Sequence, residues 1–346
     1  MLYFDHNATT PLLPLARQVW LEATERFIGN PSSPHRVGAR ADRALNEARE
    51  QLAQFLGCHP LDLVWTSGAT EACNTVLHHF ARTLPAGARV WVSAIEHPCV
   101  LEPARRHFGA GRLQLLPVTP EGVLDLEWFS RELRRQRPGL VTVMAANNET
   151  GVLQPWREVN ELCRAQGVPF FCDAAQWIGK LPAAGLGACD FVSGAAHKFG
   201  GPRGVGFLKC PAAGVIEPLL LGGPQEEGRR AGTENVAGVL AMLAAMEFRE
   251  AQLARGEAQE RQRWRDELVG QLPRALPGAV VVGAGRPRLW NTVSALMPET
   301  PVCQRWVVKL DKLGLAVSTG SACASGKEAP SHVLSAMGFT PEQAAR

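Results

Sequence analysis

From residue 61 to about residue 209, short continuous apolar runs alternate with stretches of helical period. The runs at Asp62–Thr66, Arg89–Ser93, Leu113–Val118, Leu140–Ala145, Pro169–Asp173, Asp190–Ser193 and Val205–Lys209 predict strands. Between several of them, Ala69–Leu84, Pro98–Phe108, Leu126–Arg137 and Trp156–Gln166 predict amphipathic helices. Continuous apolar strands separated by helices specify a mostly parallel sheet covered on both faces. Upstream, Arg36–Leu56 sets Ala41, Ala44, Leu45, Ala48, Leu52 and Phe55 at helical spacing, and Gly57 stops the helix. Downstream, Glu234 to about Leu272 predicts one long helix, and from Val280 strands and helices resume with weaker alternation. The expected fold class is α/β: a seven-stranded, mostly parallel sheet in a large domain over residues 13–252. A smaller α+β domain is expected from residues 1–12 together with 253–346.

Composition narrows the class. The 346 residues are 46% hydrophobic and 20% charged with a net charge of +3, and charges of both signs are interleaved. No block of like charge suggests a nucleic-acid tail or a membrane-surface patch. No apolar run approaches the ~20 residues of a membrane span, and Met1-Leu2-Tyr3-Phe4-Asp5-His6 lacks the features of a signal peptide. The expected location is the cytoplasm. The nine cysteines form no CxxC pair and no zinc spacing, so no metal is expected. Most sit in apolar stretches such as Phe170-Phe171-Cys172, where a thiol packs as a small hydrophobe. Cys323 differs. It lies in Ser321-Ala322-Cys323-Ala324-Ser325-Gly326-Lys327, small residues with a lysine nearby, which favours an accessible thiol with thiolate character.

Ligands of open α/β sheets gather at the carboxyl ends of the strands, so the residues after each predicted strand are the candidates. Thr66-Ser67-Gly68-Ala69-Thr70-Glu71 is a small-residue turn opening a helix, either a plain cap or a phosphate cradle with the Thr70 hydroxyl as an added donor. His97, just before a helix, is a cap or a ring over a ligand. Asn147-Asn148-Glu149-Thr150-Gly151 either caps its loop or donates hydrogen bonds to a carboxylate. Asp173 ends an apolar strand and needs a partner if ionised, which a protonated pyridine nitrogen, an arginine or a helix start would supply. Lys198, between Ala195-Ala196-His197 and a glycine-rich turn, is an amine suited to forming a Schiff base. Phosphate cradle, stacking ring, acid and amine together make the inventory of a pyridoxal-phosphate site.

Further motifs join these: Phe4-Asp5-His6-Asn7-Ala8-Thr9-Thr10, Gly29-Asn30-Pro31-Ser32-Ser33, Asp173-Ala174-Ala175-Gln176, Arg230-Ala231-Gly232-Thr233 and Ser318-Thr319-Gly320-Ser321-Ala322-Cys323. With them the whole chain resembles the NifS/IscS-like cysteine desulfurases of the class V aminotransferase superfamily, with the fold type I of pyridoxal-phosphate enzymes. The resemblance implies that Lys198 holds the cofactor covalently, His97 stacks on its ring and carries protons, and Asp173 pairs with the ring nitrogen. It implies Gln176 at the phenolic oxygen, Ala69, Thr70 and His197 at the phosphate, and Thr233 at the phosphate of a second subunit, hence a homodimer. Asn148 is expected at the carboxylate of the substrate, L-cysteine. Cys323 is expected to accept sulfur as a persulfide and pass it to an acceptor protein, such as an iron–sulfur scaffold or a tRNA-thiolation protein.

The sequence departs from the family pattern at Ala195, where a phosphate-binding serine is usual, at Ala231 in place of a serine, and at Cys73 in place of an asparagine. The segment in which the family carries a carboxylate-binding arginine lies past Arg346, which is not expected to be its equivalent. Alternative readings are selenocysteine cleavage, transamination, or a dimeric cofactor-binding scaffold with impaired turnover.

Overall fold

The computed structural model describes residues 1–212, 216–299, 306–320 and 330–346. Strand β1 (Leu2–Tyr3) and helices α1 (Pro14–Arg26) and α2 (Arg36–Leu56) precede the alternating region. That region runs β2 (Leu63–Thr66), α3 (Ala69–Thr83), β3 (Val90–Ser93), α4 (Pro98–Arg112), β4 (Leu113–Leu116) and α5 (Leu126–Arg135). It continues through β5 (Leu140–Thr142), α6 (Trp156–Ala165), β6 (Phe170–Asp173), β7 (Phe191–Ala195) and β8 (Gly206–Lys209). Helices α7 (Val236–Ala254) and α8 (Glu257–Ala275) follow. The last part contains β9 (Val280–Val281), β10 (Ala295–Leu296), α9 (Trp306–Lys312), β11 (Leu315–Ala316), α10 (His332–Ala336) and α11 (Pro341–Ala344).

Strands β2 to β8 form a seven-stranded sheet in the order β2-β8-β7-β6-β5-β3-β4. Only β8 runs antiparallel to its neighbours, β2 and β7; the other pairings are parallel. The expected α/β class with helices on both faces is therefore the observed one. Strand alternation sets which face each side chain serves. In β6, Phe170 and Cys172 join the core shared with α2, α5, α6 and α7, while Phe171 points to the core shared with α3 and α4. Trp91 of β3 and Phe207 of β8 join the first core, and Val90, Val92 and Leu208 the second. Each fully buried large side chain of this kind contributes ~1.5–3 kcal/mol relative to an exposed one.

The predicted long helix is two helices. Arg255 leaves helical geometry and Gly256 adopts φ 79, a left-handed conformation that breaks the run before Glu257. Regular helical geometry in α4 ends at the predicted Phe108: Gly109, at φ 59, kinks the chain before a last turn to Arg112. Helix α1 was not expected, because it buries only Ala16 and Ala23 and so carries little apolar pattern. In the weaker-patterned end, β9 pairs with β10, and β11 pairs in parallel with β1 near the N-terminus. No described helix is long and apolar enough to cross a membrane.

Candidate active site

The carboxyl ends of β2, β6 and β7 meet at a small apolar patch made by Ala69, Ala175 and Ala195. Ala69 opens α3, whose N-cap, Gly68, offers no side-chain hydrogen bond to the first turn. Uncapped N–H groups and the positive helix end suit an anion there. The backbone is drawn in tightly: a Cβ on Gly206 would lie 2.6 Å from the Gly68 Cα and 2.4 Å from the Gly194 oxygen, so only glycine fits. Thr70, next in the turn, is exposed. Glu71 anchors the turn by accepting from Ser67 N at 2.8 Å and from Arg230 Nε at 2.8 Å. The departure at Ala195 thus puts a methyl group, not a hydroxyl, beside the uncapped helix start.

Asp173, the last residue of β6, is 5% exposed. Its Oδ1 accepts from Ala175 N at 3.0 Å and from Ser193 Oγ at 2.8 Å. Among the described residues, no ion pair reaches it and no hydrogen bond to Oδ2 is formed, so neither the arginine nor the helix-start partner left open by the sequence is the one used. A buried carboxylate with one oxygen doubly bonded and the other open fits a protonated ring nitrogen. Ser193 also receives the Cys73 thiol, Sγ to Oγ 3.6 Å, and Cys73 Sγ lies 3.6 Å from Cys99 Sγ. Burial pushes the Cys73 thiol up, whereas the contact with Cys73 holds the Cys99 thiol down to about 7. Cys73, Cys99 and Asp173 offer three potential ligand atoms within 4.8 Å of one another, although Ser193 already engages two of the three residues.

His97 is the N-cap of α4, its Nδ1 accepting from Cys99 N at 3.1 Å, so the cap expected from sequence is made and fixes the ring. Glu96, just before it, is fully buried, with Oε1 accepting from Met144 N and Oε2 unpartnered. Burial, then the nearby Asp173, pushes this carboxyl well up, which favours the neutral acid.

Lys198 belongs to a 3-10 turn, Ala196–Lys198, directly after β7. Its Nζ donates to Asn7 O at 2.6 Å and to Ala8 O at 3.0 Å. Asn7 O also accepts from Gln176 Nε2 at 2.9 Å, and Asn7 Nδ2 donates to Asn148 O at 3.1 Å. Asn7 therefore gathers three candidates from three strand ends, through partners far off in the chain. Gln176 Oε1 accepts from Lys180 Nζ, a lysine only 3% exposed. An ammonium or amine donor there turns the Gln176 amide so that its NH₂ faces Asn7 O. Burial, with Lys198 and Arg249 nearby, pushes Lys180 well below the ordinary lysine range. His197 contacts Thr9 Oγ1 at 3.2 Å, and burial with Lys198, Arg203 and Lys180 pushes its ring down to about 4.

Two expected residues stand apart. Thr233 is exposed and lines a surface cavity of about 430 Å³ with Trp20, Ile28 and Asn30, and no other candidate lines it. Cys323 lies outside the described residues. Arg346 pairs with Glu299 at 3.6 Å and its carbonyl accepts from Met297 N at 3.3 Å.

The sequence profile of the aminotransferase class-V family matches residues 2–344. A cysteine desulfurase of Klebsiella pneumoniae is 41% identical over 339 residues, covering 97% of this chain and 84% of that protein. A solved NifS-like protein superposes with a TM-score of 0.88 at 33% identity, covering 99% of this chain and 91% of its own. SspA, solved in complex with cysteine, superposes with a TM-score of 0.85 at 26% identity over 100% of this chain and 97% of its own.

Proposed function

For a chain that belongs to the class V aminotransferases, among their NifS/IscS-like cysteine desulfurases, we propose a division of labour among its own residues in taking sulfur from L-cysteine. The protein is a cysteine desulfurase of a pyridoxal-phosphate-dependent family. The single observation that carries the assignment of residues is the convergence of Lys198, Gln176 and Asn148 on Asn7, with Asp173 held by Ser193 at the adjoining strand end.

The cofactor's phosphate fits the uncapped start of α3, with Ala69 and Thr70 in the turn and His197 beside it. Gln176 donates to the phenolic oxygen, Asp173 faces the ring nitrogen through Oδ2, and His97 covers the ring. When bound, pyridoxal phosphate supplies an imine-forming carbon and a ring that takes up the electron pair left at the substrate Cα. Lys198 would hold the cofactor, and its amine, once free, would be the base positioned to accept the substrate Cα proton. Asp173 keeps the ring nitrogen protonated and so keeps that electron sink available. Asn148 orients the substrate carboxylate. His97, fixed by its own cap hydrogen bond, carries protons between the later steps.

Cys323 attacks the substrate sulfur as a thiolate. An S–S bond forms and the C–S bond breaks with its electron pair left on carbon. The thiol proton ends on that carbon, so cysteine and the enzyme thiol become alanine and an enzyme persulfide. The sulfur then passes to an acceptor protein. Thr233, exposed beside Trp20 and Ile28, reaches the phosphate of a second subunit in a homodimer. The purified holoenzyme mixed with L-cysteine or L-selenocysteine tests this reading. With an added dithiol to reduce the persulfide, alanine and sulfide in equal amounts from cysteine are expected. Reaction with selenocysteine alone would make it a selenocysteine lyase, a keto acid an aminotransferase, and bound cofactor without product a scaffold.

A further inference from the structure

The turn that carries Asn148 also holds Glu149, which none of the roles above uses. Its side chain is buried, and Ser331 Oγ donates to Oε2 at 2.6 Å. Gly320 stands against the same oxygen: a Cβ on it would lie 3.6 Å from Glu149 Oε2 and 4.0 Å from Ser331 Cβ. Gly320 and Ser331 flank the stretch of sequence that carries Cys323, and both meet one carboxyl group.

A second set of contacts fixes the same point. His332 Nε2 lies 2.8 Å from the carbonyl oxygen of Glu96, the residue before His97. Val333, Leu334 and Met337 pack with Ile95 in one apolar cluster, so α10 rests on the turn between β3 and α4. Asn147 joins that turn to the turn of Glu149: its Nδ2 donates to Ile95 O at 3.0 Å and its Oδ1 accepts from Glu149 N at 3.0 Å. The apolar contacts dock the helix, and the Glu149–Ser331 bond fixes the residue at its start.

We propose that Glu149 is a positioning residue for sulfur transfer, holding Gly320 and Ser331 together so that the Cys323 thiol is delivered to the substrate sulfur. The inference rests on the reading of Cys323 as the sulfur-accepting thiol. It separates two stages of one reaction: Glu149 acts on the arrival of the thiol and leaves the chemistry at the substrate Cα alone. Glutamine at position 149 keeps an oxygen acceptor for Ser331, whereas alanine removes it.

Rapid mixing of the holoenzyme with L-cysteine reads both stages. The first absorbance change of the cofactor reports the early stage, and persulfide trapped by alkylation and located by mass spectrometry reports the later one. Glu149→Ala and Ser331→Ala should each slow persulfide formation about tenfold, the scale of one lost charged hydrogen bond. Both should leave the first absorbance change within twofold of wild type, and the double variant should be no slower than either single one. Glu149→Gln should recover most of the rate. Ser331→Ala keeps the test open if Glu149→Ala does not fold, since Val333, Leu334 and Met337 still dock α10. Persulfide formation at the wild-type rate in Ser331→Ala, or an early stage slowed by the same factor, overturns the proposal. Persulfide on a residue other than Cys323 in the wild-type enzyme would instead overturn the reading beneath it.

Discussion

Replacing Asp173 by asparagine tests the site at the atom where its chemistry is most constrained. Both hydrogen bonds that the carboxylate accepts fall on Oδ1, from Ala175 N at 3.0 Å and Ser193 Oγ at 2.8 Å. These two donors fix the orientation of an amide in its place: the oxygen must take the Oδ1 position, which puts the NH₂ where Oδ2 stood. A donor then faces the ring nitrogen, and that nitrogen accepts instead of carrying a proton. The loss is a charge-assisted hydrogen bond made in a buried position, ~1.5–3 kcal/mol, or about 10- to 150-fold in turnover. Alanine release at saturating cysteine is the assay, with thermal melting as the control on folding, which the isosteric amide should leave nearly unchanged. Ser193→Ala removes one of the two donors and keeps the charge, so its loss should be smaller, about fivefold. Turnover of Asp173→Asn within twofold of wild type, with cofactor retained, would refute the assignment of Asp173 to the ring nitrogen.

Borohydride reduction should fix the cofactor to Lys198 in the wild-type protein, and Lys198→Ala should abolish the fixed absorbance; label on any other lysine, read by peptide mass, contradicts the assignment. Cys323→Ser should keep the cofactor spectrum and accumulate bound cysteine adducts while making no persulfide; persulfide at the normal rate would remove Cys323 from the mechanism. Glu226, whose side chain is 1% exposed, accepts from Arg49 Nη2 at 2.9 Å and from Trp65 N at 3.1 Å. Glu226→Ala leaves the Arg49 guanidinium, itself 12% exposed, without its partner and should destabilise the fold by ~3–5 kcal/mol; a chemical-denaturation change under 1 kcal/mol would show that the pair contributes little.

The parts of the molecule legible in the sequence are those set by local pattern. All seven strands of the central sheet lie within the predicted runs or within two residues of them, because a strand buried on both faces needs a continuous apolar run and little else. The positions of Asp173, His97, Lys198 and the turn at Gly68 were legible for the same reason, since each lies at or shortly after a strand end. Where two structures share one local pattern, the sequence misleads. Residues 234–272 keep helical composition throughout, and only the left-handed Gly256 divides them. Asn7, Lys180, Ser193 and Glu96 could not be read as site residues, because their partners lie far off in the chain. Asn7 Nδ2, for example, reaches the Asn148 oxygen and Thr292 Oγ1, 141 and 285 positions away.

Those distant partners also set the electrostatic character of the site. Burial, then Lys198, pushes Lys180 down, and burial, then Lys198, Arg203 and Lys180, pushes His197 down to about 4. Lys180 donates to the Gln176 amide oxygen and Lys198 to the carbonyls of Asn7 and Ala8. Basic groups gathered at a partly buried site favour an anion. On the proposed assignment, a phosphate at the uncapped start of α3 and a substrate carboxylate would supply that anion. Asp173 stands on the opposite requirement, a negative charge with one open oxygen awaiting a positive nitrogen. One ligand satisfies both only if it presents an anionic end toward α3 and a protonated ring nitrogen toward β6. A cationic substrate would be repelled from the lysines before it reached Asp173. On the proposed assignment of residues, this charge pattern would orient the cofactor and favour a small substrate with a free carboxylate over a cationic amine.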